Sequence, residues 1–168
     1  MAKMFFNEIE AAKIAQNMER QGLDFYERAA SKASDPAVRD TFLGLAEDEK
    51  GHLASFQELE ETLQDRRREG AGYADDPELG AYIDRLLDTQ VFAEDGAVAH
   101  LAKQAQSDYE ALAVAMKAER DAILFYREML DFVDSKAANE TFGRILDEER
   151  EHLRILGERS DDCASKGG

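Results

Sequence analysis

The sequence has little cysteine, little proline and too few basic residues to balance its acids. Its 168 residues include one cysteine, Cys163. That excludes a disulfide framework, a four-cysteine metal knuckle and an iron–sulfur cluster built from this chain's own ligands, and it fits a reducing compartment. Basic residues are outnumbered: 21 Lys and Arg stand against 37 Asp and Glu, a formal net charge of −16. Such a surface repels phosphate backbones and anionic headgroups, so neither nucleic acid nor a membrane is an expected partner. The one basic run, Arg66-Arg67-Arg68, reads as the close of a helix. No apolar run approaches the ~18 residues that cross a bilayer. Near the start, Met4-Phe5-Phe6 is followed at once by polar and charged residues, well short of the roughly 7–15 apolar residues of a signal peptide. A cytoplasmic protein is the expectation.

Proline is nearly absent, with only Pro36 and Pro77, and there is no tryptophan. Long stretches are instead rich in Ala, Leu, Glu, Lys, Arg and Gln, the strong helix formers, and no strand-like alternation competes with them. Asn7 with Glu10 forms a capping-box pattern, and Asp35-Pro36 is a cap followed by a first-turn proline. Helices are therefore expected from Asn7 to near Ser34 and from Pro36 to about Glu69. Asp76-Pro77 opens a shorter piece carrying Leu79, Ile83, Leu86 and Leu87; residues 95–106 are ambiguous. Ser107 with Glu110 begins a third long helix ending near Asp134, and a fourth runs from about Ser135 to Arg159. The small, polar residues 160–168 are expected to form a disordered tail. The fold class is all-α: two tightly turned helix pairs joined by a long crossover, one connectivity of the four-helix bundle, in a single domain over residues 1–159.

The two pairs are copies. Shifted by 100 residues, Glu19-Arg20 falls on Glu119-Arg120, Phe25-Tyr26 on Phe125-Tyr126, Thr41-Phe42 on Thr141-Phe142, Glu49 on Glu149 and His52-Leu53 on His152-Leu153, without a gap. Similarity among helical bundles accounts for shared Ala and Leu, but not for a shared set of Glu, Phe-Tyr, Glu and His at one offset. Repeat halves packed about a pseudo-two-fold axis point equivalent residues at each other.

Two of the three histidines sit in Glu-x-x-His, as Glu49-Lys-Gly-His52 and Glu149-Arg-Glu-His152. Residues three apart share a helix face, so each pair can hold one metal ion. Each half offers one further carboxylate thirty residues earlier, Glu19 and Glu119. Each lies seven residues before a tyrosine, Tyr26 or Tyr126, hence on the same face two turns away. One Glu from each of two helices and Glu-x-x-His from each of the other two is the di-metal carboxylate arrangement. Four carboxylates balance two divalent ions, and this donor set suits iron or manganese, with zinc also able to bind.

With these residues in place, the sequence resembles the rubrerythrin-like branch of the ferritin-like superfamily over about residues 7–159. The resemblance implies a non-haem di-iron centre that oxidises Fe(II) and reduces hydrogen peroxide or dioxygen, usually in a homodimer. Carried over, Glu49 and Glu149 would bridge two iron ions, Glu19 with His52 would serve one, and Glu119 with His152 the other. Tyr26 and Tyr126 would hydrogen-bond to the ligands or carry electrons, although a core tyrosine with a satisfied hydroxyl reads equally well. Two departures stand out. The family's full-length members carry a four-cysteine rubredoxin module that this chain lacks, so electrons are expected from a separate rubredoxin-type donor. They also keep an extra glutamate one turn from a ligand. Here the one-turn neighbours are Gln16 and Gly22 around Glu19, and Met116 and Ala122 around Glu119. A non-catalytic iron-binding protein and a zinc-stapled bundle remain as alternatives. Gly22 and Ala122 are expected to border an open volume beside the metals, or else close helix packing. His100 reads as a solvent or packing histidine, Phe25, Phe42, Phe125 and Phe142 as core, and Cys163 is given no role.

Overall fold

The computed structural model describes residues 7–68 and 97–166. They form five helices: α1 (Glu8–Lys32), α2 (Pro36–Arg68), α3 (Ala97–Gln104), α4 (Asp108–Phe132) and α5 (Lys136–Lys166). No strand occurs among the described residues. The piece expected from Asp76-Pro77 lies outside them.

The caps act where the sequence places them. Asn7 Oδ1 accepts from the backbone N–H of Ile9 at 2.9 Å and of Glu10 at 3.1 Å. Asp35 Oδ1 accepts from Ala37 at 2.8 Å, and Ser107 Oγ from Glu110 at 3.2 Å. Each satisfies donors a helix start leaves unpaired. The return half of the first capping box does not form, because Glu10 pairs with Lys13 at 3.0 Å.

α1 packs antiparallel to α2, and α4 to α5; α2 also packs on α5, and α1 meets α4 more loosely. The apolar residues gather in two clusters at opposite ends of the bundle. One holds Ile9, Met18, Phe56, Leu63, Met129 and Phe142, the other Ala30, Val38, Phe42, Leu45, Leu112 and Leu156. A fully buried Phe or Leu contributes about 1.5–3 kcal/mol, so these clusters carry the stability. Between them, near the middle of each long helix, lies a buried polar layer.

The repeat is visible in how the halves tie each other's turns. Glu8 Oε1 accepts from the backbone N–H of Asp134 at 2.7 Å and of Ser135 at 2.8 Å. Asp108, its counterpart 100 residues on, accepts from Ser34 at 3.0 Å and Asp35 at 2.7 Å. Each half's first helical turn thus closes the other half's hairpin.

Among the described residues the expected disordered tail is not found: α5 continues to Lys166, seven residues past Arg159. Its last turns have partners. Cys163 packs against the second apolar cluster, Arg159 Nε donates to Thr41 Oγ1 at 3.0 Å, and Lys166 reaches Asp35 at 2.7 Å. Among the described residues no helix is long and apolar enough to cross a membrane.

Candidate metal centre

The polar layer consists of Glu19 on α1, Glu49 and His52 on α2, Glu119 on α4, and Glu149 and His152 on α5, all at most 4% exposed. Helical spacing puts them there. On α2 the buried stripe runs Leu45, Ala46, Glu49, His52, Phe56; on α5 it runs Ile145, Leu146, Glu149, His152, Leu156. Charged residues occupy core positions in otherwise apolar stripes, which a fold tolerates only where the charges find partners.

The six side chains converge as two overlapping sets. Glu19, Glu49, His52 and Glu149 bring ligand atoms within 4.8 Å of one another, as do Glu49, Glu119, Glu149 and His152. Glu49 and Glu149 belong to both. Both imidazoles turn Nδ1 inward. His52 Nδ1 lies 3.3 Å from Glu19, 3.2 Å from Glu149 and 3.9 Å from Glu49. His152 Nδ1 lies 3.0 Å from Glu149 and 3.5 Å from both Glu49 and Glu119. The two rings stack at 5.3 Å. Both Nδ1 atoms, with Glu19 Oε2 and Glu149 Oε2, are buried and make no hydrogen bond. Donor atoms that face one another at these distances without bonding leave room for a cation among them. The residues present therefore fit two metal ions, and their mixture of carboxylate oxygen and imidazole nitrogen suits first-row divalent metals.

Without metal, protons must supply the positive charge. Burial, then the charge on Glu149, pushes Glu119 up to about 8. Burial, then Glu19 and Glu149, lifts Glu49 well above the carboxylate range. Burial alone would lower His52, but the Glu149 and Glu19 oxygens facing Nδ1 hold it up at about 10. His152 is likewise raised, burial being outweighed by Glu119, Glu149 and Glu49. Glu149 is held low, because the two facing rings, His152 and His52, outweigh its burial.

The tyrosines are buried and cross-paired. Tyr126 donates its hydroxyl to Glu19 Oε1, and Tyr26 donates to Glu119 Oε1. Each therefore serves the other half's glutamate, although it shares a helix face with the glutamate of its own half. Burial, then the nearby glutamate charge, raises both phenols further above their usual range, so both stay protonated as donors.

Two participants escaped the sequence reading. His52 Nε2 donates to Glu148 Oε2 at 2.7 Å, and His152 Nε2 faces Asp48 Oδ2 at 3.4 Å. Their signal was present: Asp48 and Glu148 are a matched acidic pair at the 100-residue offset, each just before a Glu-x-x-His. Such outer carboxylates fix the tautomer that leaves the inward nitrogen free for a metal.

A small pocket with about 70 Å³ of room opens between α1 and α4, bordered by Glu19, Gly22, Tyr26, Glu49, Glu119 and Ala122. The expected open volume at Gly22 and Ala122 is thus present. Gly22 also borders a ligand, since a Cβ there would lie 3.2 Å from Glu49 Oε2. Gln16 donates instead to Phe56 O at 3.3 Å and to Glu60, and Met116 packs in the second apolar cluster. Neither supplies an additional carboxylate. His100 is exposed beside Gln104 and belongs to neither ligand set. Phe42, Phe125 and Phe142 are core as expected, while Phe25 is half-buried against the second cluster.

Residues 2–60 match the rubrerythrin family model. Two solved structures share the fold over nearly the whole chain. One is a protein of Thermotoga maritima assigned as ferritin-like and diiron-carboxylate, 24% identical, covering 95% of this chain and 97% of that one with a TM-score of 0.69. The other is a DUF305 fragment from Deinococcus radiodurans, 15% identical, covering 96% of this chain and 97% of that one with a TM-score of 0.65. No curated protein matches the sequence.

Proposed function

For this rubrerythrin-like chain of ferritin-like fold, we propose a di-iron redox protein that oxidises Fe(II) at the expense of hydrogen peroxide or dioxygen. The observation that carries the reading is the pair of buried four-residue sets sharing Glu49 and Glu149. The family match and the diiron-carboxylate assignment of the Thermotoga protein favour iron over other divalent metals.

In this reading Glu19, Glu49, His52 and Glu149 hold one ion, and Glu49, Glu119, Glu149 and His152 the other. Bound iron would supply the electrons for reducing the oxidant. The protein's own residues do the rest. Tyr126 and Tyr26 donate their hydroxyls to one oxygen each of Glu19 and Glu119, fixing those carboxylates while the phenols remain neutral. Glu148 keeps the His52 imidazole turned inward, and Asp48 faces that of His152 at longer range. The pocket at Gly22 and Ala122 has room for a small oxidant, not for an organic substrate. Apolar clusters on both sides exclude bulk water from the layer. Re-reduction is assigned to a separate donor, such as a rubredoxin-type protein, and the assembly to a homodimer in the cytoplasm.

The test is anaerobic loading with Fe(II), then peroxide or dioxygen in the presence of a chemical reductant. Repeated turnover is expected. A single stoichiometric oxidation would make the protein an iron carrier, and tight zinc binding with no optical change on adding iron would make the metal a structural staple.

A further inference from the structure

The two halves differ in one respect that matters to the metals. On one side His52 Nε2 donates to Glu148 at 2.7 Å. Glu148 is itself held, its other oxygen accepting from Arg144 at 2.9 Å, and Arg144 also donates to Ser55 Oγ at 2.8 Å. Both carboxylate oxygens are thus used, and the imidazole is fixed by a chain of three braced groups. On the other side His152 Nε2 stands 3.4 Å from Asp48, beyond good hydrogen-bond distance. Asp48 is one methylene shorter than Glu148. Position 44, the counterpart of Arg144, is glycine with open space around it. Among the described residues no lysine or arginine pairs with Asp48, whose ion-pair partner is His152 itself. The repeat has kept the ligands and let their supports diverge.

We propose that the two metal positions are inequivalent, that the His52 position fills first, and that Arg144 acting through Glu148 is the positioning residue that makes it so. The inference rests on the di-metal reading above. A metal ligand binds best when its lone pair is already aimed, and an outer carboxylate does that aiming; losing one typically costs 10–100-fold in affinity. His52 has that support in full and His152 has it weakly. The arrangement gives the centre an order of assembly: a retained ion at His52 and a more exchangeable one at His152. An exchangeable second position suits a protein whose Fe(II) is oxidised or passed on, while the first ion and the shared Glu49 and Glu149 keep the cavity formed.

Anaerobic titration of the metal-free protein with Co(II), read by visible absorption and calorimetry, tests this. The parent is expected to show two steps, the first tighter. His52→Ala should abolish the tight step, and His152→Ala the weak one. Glu148→Gln and Arg144→Ala should weaken the first step roughly 10–100-fold and leave the second within about threefold, bringing the two together. Arg144→Lys should restore part of the difference. Asp48→Asn should weaken only the second step. Circular dichroism and melting of the metal-free variants guard against misfolding, since Arg144, Glu148 and Asp48 are partly exposed. Equal steps in the parent, or a first step indifferent to both Arg144→Ala and Glu148→Gln in folded protein, would overturn the proposal while leaving the di-metal reading intact. A parent that takes up no Co(II) would overturn both.

Discussion

Tyr126 of α4 donates its hydroxyl to Glu19 of α1, and the reciprocal bond from Tyr26 to Glu119 completes a crossed pair. The two loosely packed helices, α1 and α4, are thereby tied at the level of the metal layer. Tyr126→Phe leaves Glu19 Oε1 buried without a donor, and Tyr26→Phe does the same to Glu119. Each should destabilise the metal-free fold by ~1–3 kcal/mol, measured by chemical denaturation. In the loaded protein, Tyr126→Phe should weaken the His52 position and Tyr26→Phe the His152 position. Calorimetric metal titration reads the difference; identical effects of both variants on both positions would contradict the crossed assignment.

The metal-free protein should lose stability as pH rises. Glu119 is raised from 4.5 to about 8, so across that window the folded form holds a proton the unfolded chain has lost. His52 is raised from 6.5 to about 10, with the same sign across its own window. Stability from each is full below the unfolded value and gone above the folded one. Where the windows overlap, each excess proton costs up to about 1.4 kcal/mol per pH unit. Glu149 is held low, so its contribution is present above the ordinary carboxylate value and lost only in acid. The melting temperature should therefore fall between about pH 6 and pH 9. Metal replaces the protons, so the loaded protein should show a much flatter profile. Glu119→Gln in the metal-free form should reduce the slope below about pH 8; an unchanged slope would mean the proton sits elsewhere.

Gly22 stands against a ligand. The Cβ of Gly22→Ala would meet Glu49 Oε2 at 3.2 Å and Cδ at 3.3 Å, so the carboxylate must yield by a few tenths of an ångström. Alanine also gains about 1 kcal/mol of helix propensity. Metal retention should drop measurably while metal-free stability changes by no more than about 1 kcal/mol either way. Unaltered metal binding with a clear stability change would assign Gly22 to helix packing alone.

The shared glutamates should be the most costly to lose. Glu49→Ala or Glu149→Ala removes a carboxylate from both sets, leaving two cations with too little negative charge between them. Both variants should lose both metals on dialysis, measured by elemental analysis. Glu19→Ala and Glu119→Ala should each lose mainly one.

The ligand set was legible because helices translate spacing into direction. Glu49-x-x-His52 and Glu149-x-x-His152 had to share faces, and the 100-residue repeat had to oppose them. Cross-pairing of Tyr26 with Glu119 was not legible, since same-helix spacing cannot say which neighbour a side chain reaches across an axis. Glu148 and Asp48 were hidden among the many surface acids of a chain with 37 Asp and Glu. The end of α5 was misjudged because residues 160–166 carry no strong helix stripe, and their helix depends on tertiary contacts with Thr41, Asp35 and the second apolar cluster. Arg144 and Gly44, different in type at equivalent positions, show why the repeat alone could not reveal that the halves support their histidines unequally.

Anomalous diffraction from crystals loaded anaerobically with Fe(II) bears most directly on the metal centre. Two peaks per chain are expected inside the bundle, one among Glu19, Glu49, His52 and Glu149, the other among Glu49, Glu119, Glu149 and His152. An interior without peaks, a single peak at full loading, or iron found only at exposed residues such as His100 would contradict the assignment.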